Sequence, residues 1–276
     1  MCTYDRLLCR GRECLRQAGI ADGELDSWYL LEYVSGMSRS QFFLRRQESA
    51  AKQEIVEYER LLKRRSAHIP LQHLTGSQEF MGLSFQVNEH VLVPRQDTEC
   101  LVEQVLPAAA GKKVLDMCTG SGCIAVSLAV LGEPESCVGV DISAEALAVA
   151  RENARQHDAK VAWLESNLFE NVEGSFDIIV SNPPYIPPDM IEGLMPEVRD
   201  YEPRIALEGG ADGLEFYRRI STEAVHYLER GGFLYYEIGH DQGEAVRQIM
   251  LEAGFQDVRC EKDYSGNDRV VWGRLQ

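Results

Sequence analysis

The sequence predicts an α/β protein, a doubly wound sheet preceded by a small helical bundle and a β-hairpin, and three observations predict it. Up to about His68, apolar residues recur at three- and four-residue spacings. Between Pro70 and Pro94 an alternating run turns around a glycine. From there onward, short β-type runs alternate with helical stretches, as in parallel strands joined by crossover helices. A chain of 276 residues, 45% hydrophobic and 26% charged, is long enough for one large core and a satellite domain.

In order along the chain, Leu7, Leu8 and Leu15, then Trp28, Leu31, Tyr33 and Val34, then Ile55, Tyr58, Leu61 and Leu62 mark short helices. Breaks at Gly19 to Gly23 and at Ser35-Gly36 separate them. Residues 1–69 are therefore expected to form a helical domain. Glu79 to Val87, alternating about Gly82, reads as a hairpin inside a linker over 70–94. The remainder, 95–276, is expected to hold strands at Lys113–Met117, Cys137–Ile142, Val161–Leu164 and Phe176–Ser181, with helices at Cys123–Leu131, Ala144–His157 and Leu214–Leu228. Further elements fall at Gly232–Ile238, Gln242–Ala253, Phe255–Glu261 and Arg269–Leu275.

The composition removes several function classes. No uninterrupted apolar stretch follows Met1, and Asp5 comes early, so neither a secretory signal nor a membrane span is expected and the cytoplasm is the expected compartment. The eight cysteines lack the paired spacing of zinc or dithiol sites and are read as reduced, mostly core thiols with no metal site. A net charge of −16 opposes binding nucleic acid over the whole surface. Arg45-Arg46 and Lys63-Arg64-Arg65 are expected on solvated helix faces.

Two stretches carry chemistry. Val114 to Ala125 runs from an apolar strand through Cys118-Thr119-Gly120-Ser121-Gly122 into a helix, a turn in which backbone amides can approach a nucleotide-like ligand. Such turns also occur without ligands. Asp141, ending the next strand about twenty positions on, can accept hydrogen bonds from both ribose hydroxyls, or can belong with Ser143 to the cap of the following helix. A third glycine in dinucleotide spacing and a Walker lysine are both missing, which favours a methyl donor over nicotinamide or ATP.

The second stretch, Asn182-Pro183-Pro184-Tyr185, leaves the buried-type strand Asp177 to Ser181 at the edge where ligands bind in open α/β sheets. Its prolines fix the backbone and carry no amide hydrogen. An amide nitrogen is a poor nucleophile, so a catalyst must aim its lone pair at the donor methyl. The Asn182 side-chain oxygen and the Pro183 carbonyl can each accept one N–H, while the Tyr185 ring lies against the planar group. The proton can leave to water after transfer. A rigid turn before a core aromatic gives the same four residues, and the chemistry alone leaves amide, amine and nucleobase open as targets.

Pro70 to Gly76, Val93-Pro94-Arg95-Gln96-Asp97-Thr98-Glu99, the loop from Asp116, Val140 to Ser143, Phe176 to Ile186, Pro196 to Arg199, Tyr201 to Arg204 and Ala206 to Leu214 together resemble the bacterial peptide chain release factor glutamine methyltransferase family, HemK/PrmC. The likeness spans nearly the whole chain. It implies a seven-stranded, Rossmann-like class I methyltransferase domain and an N-terminal domain that helps dock the release factor. It implies transfer of one methyl from S-adenosylmethionine to the glutamine nitrogen of a Gly-Gly-Gln loop, with S-adenosylhomocysteine as product, by a monomer needing neither membrane nor nucleic acid. Cofactor contacts carry over to Cys118, Thr119, Gly120, Ser121, Gly122, Asp141, Asn167, Leu168 and Asn182. Catalytic roles carry over to Asn182, Pro183 and Tyr185, and substrate contacts to Asn182, Pro183, Pro184 and Tyr185. Cys118 stands where glycine is usual, Asn167 where aspartate is common and Gln96 where proline is usual. Rival expectations are methylation of a ribosomal protein glutamine or a nucleobase, and a non-catalytic cofactor-binding adaptor.

Overall fold

In the computed structural model, which describes residues 2–276, two of the first helices begin where a side chain satisfies the free amides of a first turn. Thr3 accepts the Arg6 N–H ahead of α1 (Tyr4–Gln17); after α2 (Gly23–Ser35), Ser38 and Gln41 cap α3 (Arg39–Arg45) reciprocally. With α4 (Lys52–Ser66) and α5 (Leu71–Thr75) they enclose a core containing Leu15, Leu30, Leu31, Tyr58 and Leu61. Gly11 permits the closest approach: a Cβ there would stand 2.1 Å from the Tyr58 hydroxyl, which donates to the Ser27 carbonyl.

Residues 1–76 form one compact unit together with Met195–Tyr201. Arg65, expected on a solvated face, is instead buried. It occupies the next turn of the stripe Tyr58, Leu61, Leu62, and its guanidinium donates to Asp26 (2.7 Å), Glu197 (2.8 Å) and the Ile69 carbonyl (3.3 Å). Arg45 does lie on the surface, paired with Glu48. All eight cysteines are free; Cys100, Cys123 and Cys137 are buried in the core, Cys2, Cys118 and Cys260 pack against the cores, and Cys9 is exposed.

The second unit comprises Ser77–Leu194 and Glu202–Gln276. The segment expected as a linker is thus shared, with α5 in the first unit and the hairpin in the second. Strands β1 (Ser77–Phe80) and β2 (Leu83–Gln86) turn at Met81-Gly82 and bury Phe80 and Phe85 in a core shared with α6 (Gln96–Ala109). That helix was not assigned from sequence, although Leu101, Val102 and Val105 supply its buried stripe.

There follow β3 (Lys113–Met117), α7 (Cys123–Leu131), β4 (Ser136–Asp141), α8 (Ala144–Gln156), β5 (Ala162–Glu165), β6 (Phe176–Ser181) and the short α9 (Pro188–Ile191) and α10 (Pro196–Arg199), the last within the first unit. Then come α11 (Glu215–Ala224), β7 (Leu228–Glu237), α12 (Gly243–Glu252), β8 (Gln256–Lys262) and β9 (Asp268–Arg274). Among the described residues they build a seven-stranded sheet, β5-β4-β3-β6-β7-β9-β8, parallel except for β9. The helix expected over Leu214–Leu228 ends at Ala224, and Leu228 already pairs with Phe176 in the sheet. No helix among the described residues is long and apolar enough to cross a membrane.

At the centre of the sheet Asp116 of β3 is wholly buried. One carboxylate oxygen accepts from both the Thr119 hydroxyl and the Ala125 amide, tying the turn after β3 and the start of α7 to one point. The other oxygen has no partner among the described residues. Burial pushes the carboxyl from its ordinary 3.8 up to about 7, against the pull of those two hydrogen bonds.

Two stability predictions follow from these buried charges. Arg65→Ala leaves Asp26 buried without its counter-ion and is expected to lower the unfolding free energy by about 3 kcal/mol in urea titrations followed by circular dichroism. At Asp116 the native state holds more protons than the unfolded chain between pH 3.8 and about 7. Its contribution is fully present below that window and is lost as pH rises through it. The stability difference between Asp116→Asn and wild type should therefore shift toward the variant as pH rises across the window; a difference independent of pH would contradict this.

Candidate functional site

Strand register brings the two chemistry-bearing loops together. Sheet order reverses at β3, with β4 on one side and β6 on the other, and a crevice opens beyond the carboxyl ends of the strands. Met117 is paired with Val140 of β4 and Ser181 of β6, so the turn at Cys118, the acid Asp141 and the tetrapeptide at Asn182 leave the sheet at one level. The Ser181 hydroxyl donates to the Met117 carbonyl (2.7 Å) and the Thr119 amide to the Val140 carbonyl (2.9 Å).

The turn itself needs left-handed backbone at Cys118, Gly120 and Gly122, with φ of 61°, 54° and 77°. Glycine meets that requirement at the last two. Cys118 meets it at a steric cost, which accounts physically for the glycine usual at that place. Gly122 has a second constraint, since a Cβ there would approach Trp163 to 2.8 Å and Ala150 to 3.0 Å.

Asp141 holds the turn as well as facing the crevice. Its oxygens accept the Gly120 amide (2.8 Å) and the Ser143 amide (3.0 Å), while the Ser143 hydroxyl caps α8 by accepting from Ala146. The sequence alternatives, cap or ligand acceptor, are therefore compatible. The Ile142 amide also donates to Asp141, so only part of the roughly four acceptor positions of the carboxylate stays free for a ligand. Burial raises the Asp141 pKa, opposed by the backbone amides.

Around these residues lies a cleft of about 300 Å³, largely apolar, with Ile142 and Ile205 on its walls. Cys118, Thr119, Gly120, Ser121, Asp141, Asn167, Leu168, Asn182 and Pro184 all line it. Gly122, Pro183 and Tyr185 do not. Gly122 is turned to the helix packing, and the Tyr185 ring packs against the main core with its hydroxyl 3.4 Å from Glu237 Oε1. Asn167 is engaged at both ends of its amide, donating to Glu170 (2.6 Å) and accepting from Arg219 (3.2 Å). Leu168, at φ 54°, is a second non-glycine residue in left-handed backbone at the cleft wall.

Several lining residues were not singled out from sequence: Thr98, Phe216, Arg219 and His90. Thr98 and Arg95 lie in the stretch Val93 to Glu99, but a motif does not show where its side chains point. Arg95 grips both oxygens of Glu202 (2.6 and 2.7 Å), which fastens the wall carrying Pro203 and Ile205. The run Ala206 to Leu214 proves to be the backing of the tetrapeptide. Just after the tetrapeptide, the Ile186 amide donates to the Leu207 carbonyl and the Gly209 amide to the Ile186 carbonyl (both 2.9 Å), and a Cβ at Gly209 would stand 2.6 Å from Tyr185 Cα.

Comparison with known proteins adds the family. Residues 6–76 match the PrmC N-terminal domain and residues 96–191 the methyltransferase small domain. The release factor glutamine methyltransferase of Geobacter sulfurreducens is 43% identical over 277 residues, covering 99% of this chain and 97% of the relative. That of Caulobacter vibrioides is 40% identical, covering 95% and 93%. Among solved structures, a methyltransferase from Pyrococcus furiosus superposes with a TM-score of 0.57 at 19% identity, over 77% of this chain and 98% of its own. The T. thermophilus 16S rRNA N2 G1207 methyltransferase, solved with AdoMet and guanosine, gives 0.53 at 18%, over 72% and 50%. Both superpositions place the seven-stranded sheet in a methyltransferase fold. With that sheet, and identity sustained from end to end, the chain belongs to the release factor glutamine methyltransferase family.

Proposed function

We propose that this protein transfers a methyl group from S-adenosylmethionine to the side-chain amide nitrogen of the glutamine in the Gly-Gly-Gln loop of a peptide chain release factor, giving N5-methylglutamine and S-adenosylhomocysteine. The observation that carries the reading is the in-register exit of the Cys118 turn and of Asn182 into one cleft. The cleft suits the donor chemically: apolar walls for an adenine, unused acceptor positions on Asp141 for ribose hydroxyls, and a glycine turn without a pyrophosphate site. When bound, S-adenosylmethionine supplies an electrophilic methyl on a sulfonium.

The protein's own part is orientation. Asn182 donates through Nδ2 to the Thr98 hydroxyl (3.4 Å), which leaves its side-chain oxygen for the glutamine N–H. The Pro183 carbonyl is assigned the second N–H of a glutamine that enters beside the donor cleft, whose lining Pro183 does not join, and the two acceptors favour the positive charge that develops on nitrogen. Pro184 lines the cleft beside them. Tyr185 acts from behind, its carbonyl accepting from Gln242 (3.0 Å) and its ring packed in the core, so its role is to brace the loop. Cys118 to Gly122, Asp141, Asn167 and Leu168 serve the donor. The reaction is placed in the cytoplasm, with the protein acting as a monomer and its helical unit helping to dock the release factor.

Incubation of the protein with donor and purified release factor, followed by intact-mass and peptide analysis, is expected to show one methyl on the Gly-Gly-Gln glutamine. Label appearing in DNA, RNA or a ribosomal protein and not in release factor would overturn the assignment. Asn182→Ala should lower kcat by at least about a hundredfold while leaving donor binding, measured by calorimetry, near wild type. Unchanged turnover would remove the role given to Asn182.

A further inference from the structure

Glu237, the last residue of β7, lies directly behind the tetrapeptide and is 2% exposed. Its Oε1 accepts from the Tyr185 hydroxyl (3.4 Å), and its Oε2 is buried with no hydrogen-bond partner of ordinary geometry among the described residues. The Thr98 hydroxyl, whose oxygen accepts from Asn182, is after burial the strongest influence on this carboxylate and favours its charged form. A carboxylate therefore stands at the end of a chain that runs from the cleft through Asn182 and Thr98.

A carboxamide is nearly symmetric in shape, and only its partners distinguish the oxygen end from the NH₂ end. A hydroxyl does not select between them, because it can donate or accept. An ionised carboxylate does select, since it can only accept. With Glu237 ionised, the Thr98 hydrogen is drawn to the carboxylate and Thr98 offers Asn182 a lone pair. Asn182 then turns its Nδ2 to Thr98, as observed, which leaves its oxygen for the cleft. With Glu237 protonated, the acid can donate to Thr98 and free the Thr98 hydrogen to point at Asn182. The carboxamide can then flip and present NH₂ groups where an acceptor is needed.

We propose that the ionised carboxylate of Glu237 is a positioning residue which, through the Thr98 hydroxyl, fixes the side-chain oxygen of Asn182 toward the methyl-accepting amide. The proposal rests on the role given above to Asn182 and adds what sets its polarity. Burial pushes the Glu237 carboxyl up to about 7, opposed by Thr98, Arg269 and Tyr185 and reinforced by Asp97. The groups facing it from neighbouring elements are Asp97 and Thr98 on α6, Cys123 on α7, Tyr185 after β6, Tyr217 on α11, and Arg269 on β9. Arg269 is shared with Asp97 and Asp263 (both 3.2 Å) and donates to the Ile238 carbonyl. Glu237 itself changes charge near pH 7 and meets Thr98.

In full-length protein acting on release factor, kcat of the wild type is expected to fall as pH drops through about 7. Glu237→Gln should lower kcat roughly ten- to a hundredfold and abolish that acidic limb, with KM and donor affinity unchanged. Thr98→Val should behave likewise, whereas Thr98→Ser should retain the wild-type rate. Wild-type kcat with an intact acidic limb in Glu237→Gln, or an unaffected Thr98→Val, would overturn the proposal. If wild type leaves release factor unmethylated, the functional assignment fails separately. The positioning role is still read from the Asn182 side-chain NH₂ resonances, assigned with Asn182→Asp. They should move with pH near 7 in wild type and not in Glu237→Gln, and resonances that stay fixed in wild type would refute it.

Discussion

The site depends first on the register of three parallel strands. Met117 is level with Val140 on one side and Ser181 on the other. A shift of one residue in either ladder would turn every side chain of that strand to the opposite face and move its loop out of the cleft. The register is secured where hydrophobic strands are buried on both faces and where the Ser181 hydroxyl crosses to the Met117 carbonyl. From that alignment come the juxtaposition of turn, acid and tetrapeptide and the space between them.

Buried carboxylates do the fine positioning. Asp116 holds the turn and the first turn of α7 from below, Asp141 holds Gly120 from the side, and Glu237 stands behind Asn182 and Tyr185. Each is raised above its ordinary pKa by desolvation, a cost that its hydrogen bonds, and at Glu237 also the Arg269 charge, offset in part. An apolar residue would be less costly at any of the three places. It could not accept the amide or hydroxyl hydrogens that fix the loops.

Much of this was legible in advance because the signals are local. The strands Lys113–Met117 and Phe176–Ser181 are legible to the residue from apolar β-type runs alternating with helical stretches, and the turn and tetrapeptide from glycine and proline. What was missed depends on partners distant in sequence. Arg65 looked like part of a solvated basic cluster, and only the packing of α4 beside Asp26 makes it a buried ion pair. The end of α11 at Ala224 is set by Leu228 pairing with Phe176, which no helical period reveals. Tyr185 reads as a ring for the substrate's planar group; that its ring packs in the core beside Glu237 and its carbonyl accepts from Gln242 is set by distant elements.

The sequence by itself determined the alternation that makes a doubly wound sheet, the glycine turn, Asp141 and Asn182 to Tyr185, because periodicity and backbone restriction are properties of neighbouring residues. Tertiary structure decided which way those groups face: that Asn182 turns its NH₂ to Thr98, that Gly122 and Tyr185 turn away from the cleft, and that Thr98 and Arg219 line it. Orientation of a side chain is set by hydrogen-bond partners brought from other strands and helices, and those partners exist only once the sheet has closed in register.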